Sequence, residues 1–175
     1  YYASRGLGDV YKRQTFGRLA VVGKNVGFTG VLTVFSLLAA PYMAYVAVSS
    51  YVYVQYFGLS EQVYSYFFAA NSFFAVVGPF LYMKLIGIVS PRQFTYGCFI
   101  FTVVAAAALL TVGSISPWWF LIAFLPVTIM ESAARPFSTA ILLDQQKTDI
   151  GSASSLINAV NTVFGSLGMM LGALN

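Results

Sequence analysis

The sequence predicts an all-α, polytopic transmembrane helix bundle of five spans. Three observations predict it. Hydrophobic residues make up 59% of the 175 and charged residues only 8%, against roughly 25% charged in a soluble domain. The apolar residues fall in continuous runs rather than in alternation, which favours helices over the strands of a barrel. Among the loops, Lys and Arg fall only in alternate ones, the signature of a chain threaded back and forth across a bilayer.

A spanning helix needs about 20 mostly apolar residues. Val26 to Ser60, Gln62 to Met83, Gln93 to Met130 and Ile150 to Asn175 carry no formal charge. The third run is too long for one span, and Gly113, Ser114, Ser116 and Pro117 divide it. Five helices follow, at about 26–57, 60–88, 91–113, 117–144 and 150–175. Ser60 with Glu61 opens the second, with an acid at the positive end of the helix dipole. Ser90-Pro91 and Ser116-Pro117 each set a capping hydroxyl before a proline at the first helical position. Asp149 to Ser152 opens the fifth. Trp118 and Trp119 mark a membrane boundary, where indoles prefer to lie.

Residues 1–14, YYASRGLGDVYKRQ, are polar and aperiodic. They resemble a leader that recurs in translated environmental assemblies through read-through of a sequencing adapter, and are set apart as non-native. Residues 15–25 form a short segment ahead of the first span. Asn175 ends an apolar helix without an exit loop, so the chain reads as a fragment. Arg18 and Lys24 precede helix one, Lys84 and Arg92 follow helix two, and Lys147 follows helix four. The intervening loops hold no Lys or Arg, so residues ahead of helix one are expected in the cytoplasm.

Composition excludes much chemistry. There is no His, and Cys98 is the single cysteine, so neither a His or Cys-rich metal site nor an imidazole base is available. Cys98 sits in an apolar run and reads as a core thiol. A net charge of +4 is too thin for a nucleic-acid interface. No enzyme activity, metal or cofactor is expected.

Three helix faces stand out. In helix five, Gly151, Ser154, Asn158, Asn161, Gly165, Gly168 and Gly172 recur at spacings of three and four, a stripe of small and amide side chains suited to close helix contact. Asn158 and Asn161 fit packing or cavity lining equally. In helix one, Tyr42, Tyr45, Ser49, Tyr53 and Tyr56 share a face, and helix two offers Tyr64, Phe67, Asn71, Phe74 and Gly78. Tyr53 and Tyr56 suit interface anchoring. Tyr42, Tyr45 and Asn71 lie deeper, where a phenol or amide needs a partner or water; a wet cavity or a neighbouring helix would serve. In helix four, Glu131 lies about fourteen residues in, with Arg135 one turn on and Pro126 and Pro136 on either side. An ionisable residue at that depth faces the bundle interior or a water-filled cavity. It forms a structural ion pair with Arg135, or it couples protons or meets a cationic substrate with Arg135 tuning it.

The order of these features resembles the major facilitator superfamily, in particular its drug-efflux branch related to bicyclomycin resistance (Bcr/CflA). The residues that carry the resemblance are Tyr56 to Ser60 ending the first span, Phe68 to Asn71 and Gly78 in the second, Lys84 and Ser90-Pro91-Arg92 after it, and Gly151 to Leu156 opening the last. The family's cytoplasmic loop signature of glycine, acid and several basic residues is reduced here to Gly78 and Arg92. The resemblance covers most of Val26 to Leu174 and implies helices seven to eleven of a C-terminal half. It implies a secondary active antiporter for multidrug efflux, driven by protons and exporting small amphipathic compounds, whose halves rock around a cavity at the bilayer midplane. The implied partners are the lipid bilayer, a small-molecule substrate, protons and the N-terminal half of the same chain, in a bacterial plasma (inner) membrane. An uptake or metabolite transporter on the same fold, and a non-transporting membrane scaffold, remain as alternatives.

Overall fold

Asn25 begins the bundle: its side-chain oxygen accepts a hydrogen bond from Phe28 N at 3.2 Å and caps the first helix. A computed structural model describes Gly17, Leu19, residues 21–145 and residues 150–174. Residues 1–14, Arg18, Lys147 and Asp149, on which several expectations fall, lie outside the described residues.

Five helices are long and apolar enough to cross a membrane. The first is α1 (Val26–Ser50), followed by α2 (Glu61–Leu85), α3 (Pro91–Val112), α4 (Pro117–Asp144) and α5 (Ile150–Gly172). Their starts are set locally. Ser60 accepts from Val63 N at 3.3 Å. Ser90 and Gln93 exchange hydrogen bonds as a reciprocal cap, satisfying two otherwise orphaned N–H groups. Ser116 accepts from Trp119 N at 3.3 Å.

The sequence expectation ran helix one without change to residue 57. Instead, α1 gives way to a π-helical stretch over Tyr51–Tyr56, and Phe57 N bonds back to Val52 O at 3.0 Å. A wider turn is a weak helix by itself, and side-chain packing sustains it here. Tyr53 is fully buried within it and stacks on Phe67 with ring centroids 4.8 Å apart. Gly58, at φ 69°, then turns the chain, and Gly87, at φ 82°, does so after α2. Both are backbone conformations that glycine alone adopts without strain.

Helix α4 is the hub. Half of its span is buried, against 22% or less for every other span. Helix α2 and helix α3 both pack on α4 while their own backbones scarcely approach each other, and α1 packs chiefly on α5. Lipid supplies no hydrophobic force between helices, so close packing of small residues must do so. Gly78 of α2 serves α4: a Cβ there would stand 2.6 Å from the Ile129 carbonyl oxygen and 2.7 Å from Ala133 N. At the α2 N-terminal end, Tyr45, Tyr53, Phe67, Leu121 and Phe124 form an aromatic cluster. At the opposite end, Phe28, Leu32, Leu142, Ala153 and Ile157 join α1, α4 and α5. Cys98 is buried in a third cluster with Phe94 and Phe137. The outward surface carries large apolar side chains such as Phe73, Val103, Leu110 and Met170, as lipid contact requires.

Candidate functional site

Between α1, α4 and α5 lies a cavity of about 350 Å³. Helix α1 contributes apolar walls, with Phe35, Leu38 and Met43; α4 contributes Glu131, Arg135 and Ser138; α5 contributes Asn158, Asn161, Thr162 and Ser166. One side is therefore apolar and the other two are polar. That division suits a small amphipathic molecule held by a few placed polar groups.

The ion pair dominates the polar side. Arg135 Nε donates to Glu131 Oε1 at 2.6 Å, one helical turn apart. The pair is asymmetric: the Glu131 side chain is 7% exposed and that of Arg135 is 57% exposed. The carboxylate is thus held inside the bundle while the guanidinium reaches outward. The second carboxylate oxygen makes no hydrogen bond among the described residues, so it keeps acceptor capacity beside the cavity.

Asn161 is fixed by Ser36, whose hydroxyl donates to Asn161 Oδ1 at 2.6 Å across the α1–α5 contact. Ser36 is fully buried, so this bond ties the two helices together at the cavity edge. Asn158 lines the cavity with its side-chain amide unbonded among the described residues. The helix-five stripe divides here. Gly165 and Gly168 face Met43 and Ala40 of α1, Asn158 and Asn161 face the cavity, and a Cβ on Gly151 would meet open space.

Of the five residues expected at a cavity, the structure brings Asn158 and Asn161 together with Glu131 and Arg135. Tyr45 and Asn71 sit elsewhere, for a packing reason in each case. The Tyr45 ring stacks on Phe124 at 4.1 Å and is buried in the aromatic cluster. Asn71 is 1% exposed and accepts from Thr128 at 2.7 Å, which seals α2 against α4. Tyr42 is half-buried against the same aromatic cluster, within electrostatic reach of Glu131 and Arg135. Sequence reasoning missed Ser36, Ser138, Thr162 and Ser166. Thr162 and Ser166 follow Asn158 at successive steps of four, a row next to the glycine stripe, and that spacing was the available signal.

These features define an integral membrane protein, a polytopic bundle with an amphipathic cavity and an acid–base pair inside it. The chain is similar to YdgK of Bacillus subtilis (strain 168), described as an uncharacterized MFS-type transporter, with 26% identity over 156 residues. The alignment covers 87% of this chain and 38% of the relative, so the chain spans well under half of that protein's length. Five helices long and apolar enough to cross a membrane fit a likeness to one part of that protein. No protein-family profile matches the chain, and no solved structure matches it at a significant level.

Proposed function

We propose that this bundle is part of a proton-coupled secondary transporter that exports small amphipathic compounds, with the α1–α4–α5 cavity on the substrate path. The observation that carries the proposal is the placement of Glu131: a carboxylate held inside an apolar bundle, next to a cavity with amides on one wall and apolar side chains on the other. Intramembrane acids in such settings serve proton or substrate movement. Protons, the substrate and the N-terminal half of the transporter are the partners in this reading. The membrane is a bacterial inner membrane, with Lys24, Lys84 and Arg92 on the cytoplasmic side.

A second reading has a specific observation in its favour. The 2.6 Å contact between Arg135 and Glu131 is a direct ion pair, and such a pair holds α4 in shape without moving protons. Transport in proteoliposomes separates the two. The full-length wild-type transporter should accumulate a fluorescent amphipathic cation in exchange for protons when a pH gradient is imposed, and Glu131→Gln should abolish that movement while staying folded. Gradient-driven movement in Glu131→Gln at the wild-type rate would leave the pair a structural role alone. Accumulation in the opposite direction would favour uptake, and no movement of any amphipathic probe by wild type would favour a scaffold.

A further inference from the structure

We infer that the hydroxyls of Tyr64, Tyr53, Tyr45 and Tyr42, joined by buried water, form a path along which protons reach Glu131 from the outer face. The inference rests on the proton coupling proposed for Glu131 and adds the route and the side of entry. Two buried atoms carry it. Tyr45 and Tyr53 are 3% and 0% exposed, and the hydroxyl of neither makes a hydrogen bond among the described residues. Phenylalanine at either place would keep the stacking on Phe124 and Phe67. It would also spare the cost of burying an unbonded hydroxyl. Packing therefore accounts for the rings and leaves the oxygens unexplained.

The oxygens form a series between two cavities. The Tyr45, Tyr53 and Tyr64 hydroxyls are each within electrostatic reach of the other two. Together they supply the polar partners that a buried water needs, about two to four. Tyr64 OH also lies 3.1 Å from Ser49 Oγ, in a hydrogen bond that either can donate. At the end away from Lys84 and Arg92, the outer face in the proposed orientation, Tyr64 and the exposed Glu61 line a cavity of about 370 Å³. At the inner end, Tyr42 is within electrostatic reach of Tyr45 on one side and of Glu131 on the other. Arg135 is the other charge facing Glu131 and holds one carboxylate oxygen, which leaves the second to accept.

A hydroxyl both donates and accepts, so it relays a proton without ionising. A proton from the outer cavity bonds to the first oxygen as that oxygen's own proton leaves for the next. Each O–H bond broken is matched by one formed. The last proton settles on the Glu131 carboxylate, and rotation of the O–H groups restores the row. Proton relays of this kind belong to the interior of membrane bundles, where polar side chains are otherwise costly.

The test uses the full-length transporter in proteoliposomes. Proton-driven movement of the amphipathic cation is compared with its counterflow at equal pH on both sides, which needs no net proton movement. Tyr45→Phe and Tyr53→Phe should each slow proton-driven movement about fivefold, the effect of losing one hydrogen-bonded link. Counterflow should keep the wild-type rate. Melting temperatures should match or exceed wild type, because the ring stays and only an unbonded hydroxyl goes. Tyr56→Phe, at a ring that is 61% exposed, should change none of these. Wild-type proton-driven rates in both buried variants would overturn the inference, and a lowered melting temperature beside them would make the phenols a structural pair. Equal slowing of counterflow would also overturn it, by giving the hydroxyls to the conformational cycle. Loss of proton coupling in Glu131→Gln but in neither phenylalanine variant would strike the path alone; coupling retained in Glu131→Gln would remove the parent reading and the path with it.

Discussion

Gly168 and Ala40 bring two helix backbones into contact: a Cβ at position 168 would lie 2.7 Å from the Ala40 Cα and closer still to the Ala40 carbonyl oxygen. Neither atom can move without moving α1. Gly165, one turn earlier, faces only the flexible Met43 side chain, with its Cγ 3.1 Å from such a Cβ. Gly168→Ala should therefore destabilise by about 1–3 kcal/mol, the usual range for overpacking, and Gly165→Ala by clearly less. Thermal melts of the two variants in detergent check this; equal melting temperatures would contradict it.

The same argument applies to Gly78 with the opposite helix pair. A Cβ there would collide with the Ser132 hydroxyl and stand 2.6 Å from the Ile129 carbonyl oxygen. Ser132 already bonds to the Thr128 and Ile129 carbonyls, so its hydroxyl cannot swing away freely. Gly78→Ala should lower the melting temperature. Adding Ser132→Ala should return only part of the loss, because the Ile129 and Ala133 backbone atoms remain.

Removal of the Asn71–Thr128 hydrogen bond should have a modest effect. Interhelical hydrogen bonds in membrane proteins average about 0.6 kcal/mol by double-mutant cycles. A cycle of Asn71→Leu and Thr128→Val should return a coupling of that order, with transport retained, since neither residue lines the α1–α4–α5 cavity. Loss of transport with an unchanged melting temperature would instead give Asn71 a part in the substrate path.

The ion pair should respond unequally to loss of its two members. Glu131→Gln leaves Arg135, whose side chain is 57% exposed and not enclosed by the bundle; the loss should be the smaller of the two. Arg135→Gln leaves a carboxylate 7% exposed with no cation beside it. That variant should lose more stability, and adding Glu131→Gln should restore part of it. Chemical denaturation of the three variants reads out this order, and a larger loss in Glu131→Gln would reverse the assignment of which charge is trapped.

Topology is open to labelling. Single cysteines in place of Lys84 and Arg92 should react from one side of the membrane, and Ser114→Cys from the other. Reaction of Ser114→Cys from the cytoplasm would reverse the orientation.

The number of spans was legible because charge-free runs of membrane length are a local property of sequence. The serines at 60, 90 and 116 were legible for the same reason, since a cap needs only its own first turn. The π-helical stretch was not. Tyr51 to Tyr56 contain no glycine or proline, and what holds the wider turn is Tyr53 packing on Phe67 of another helix. Tyr45 and Asn71 show the same limit: helical spacing put them at a buried depth, but whether a neighbour or a cavity met them depended on Phe124 and Thr128. The α5 stripe was correctly read as small and amide-rich, yet nothing in its spacing marks where it leaves α1 and begins to face the cavity.

The pairing of the helices has a consequence for synthesis. Of the five spans, α1 is made ahead of the other four, yet its main partner is α5, the fifth in order. Chains emerge N-terminus first at about 5–20 residues per second, so α1 must wait in the membrane for several seconds. During that interval Ala40 and Ala44, shaped for the glycines of α5, face lipid or the insertion machinery. A ribosome halted after Gln145 would leave α2, α3 and α4 able to assemble and α1 only partly engaged, through α4.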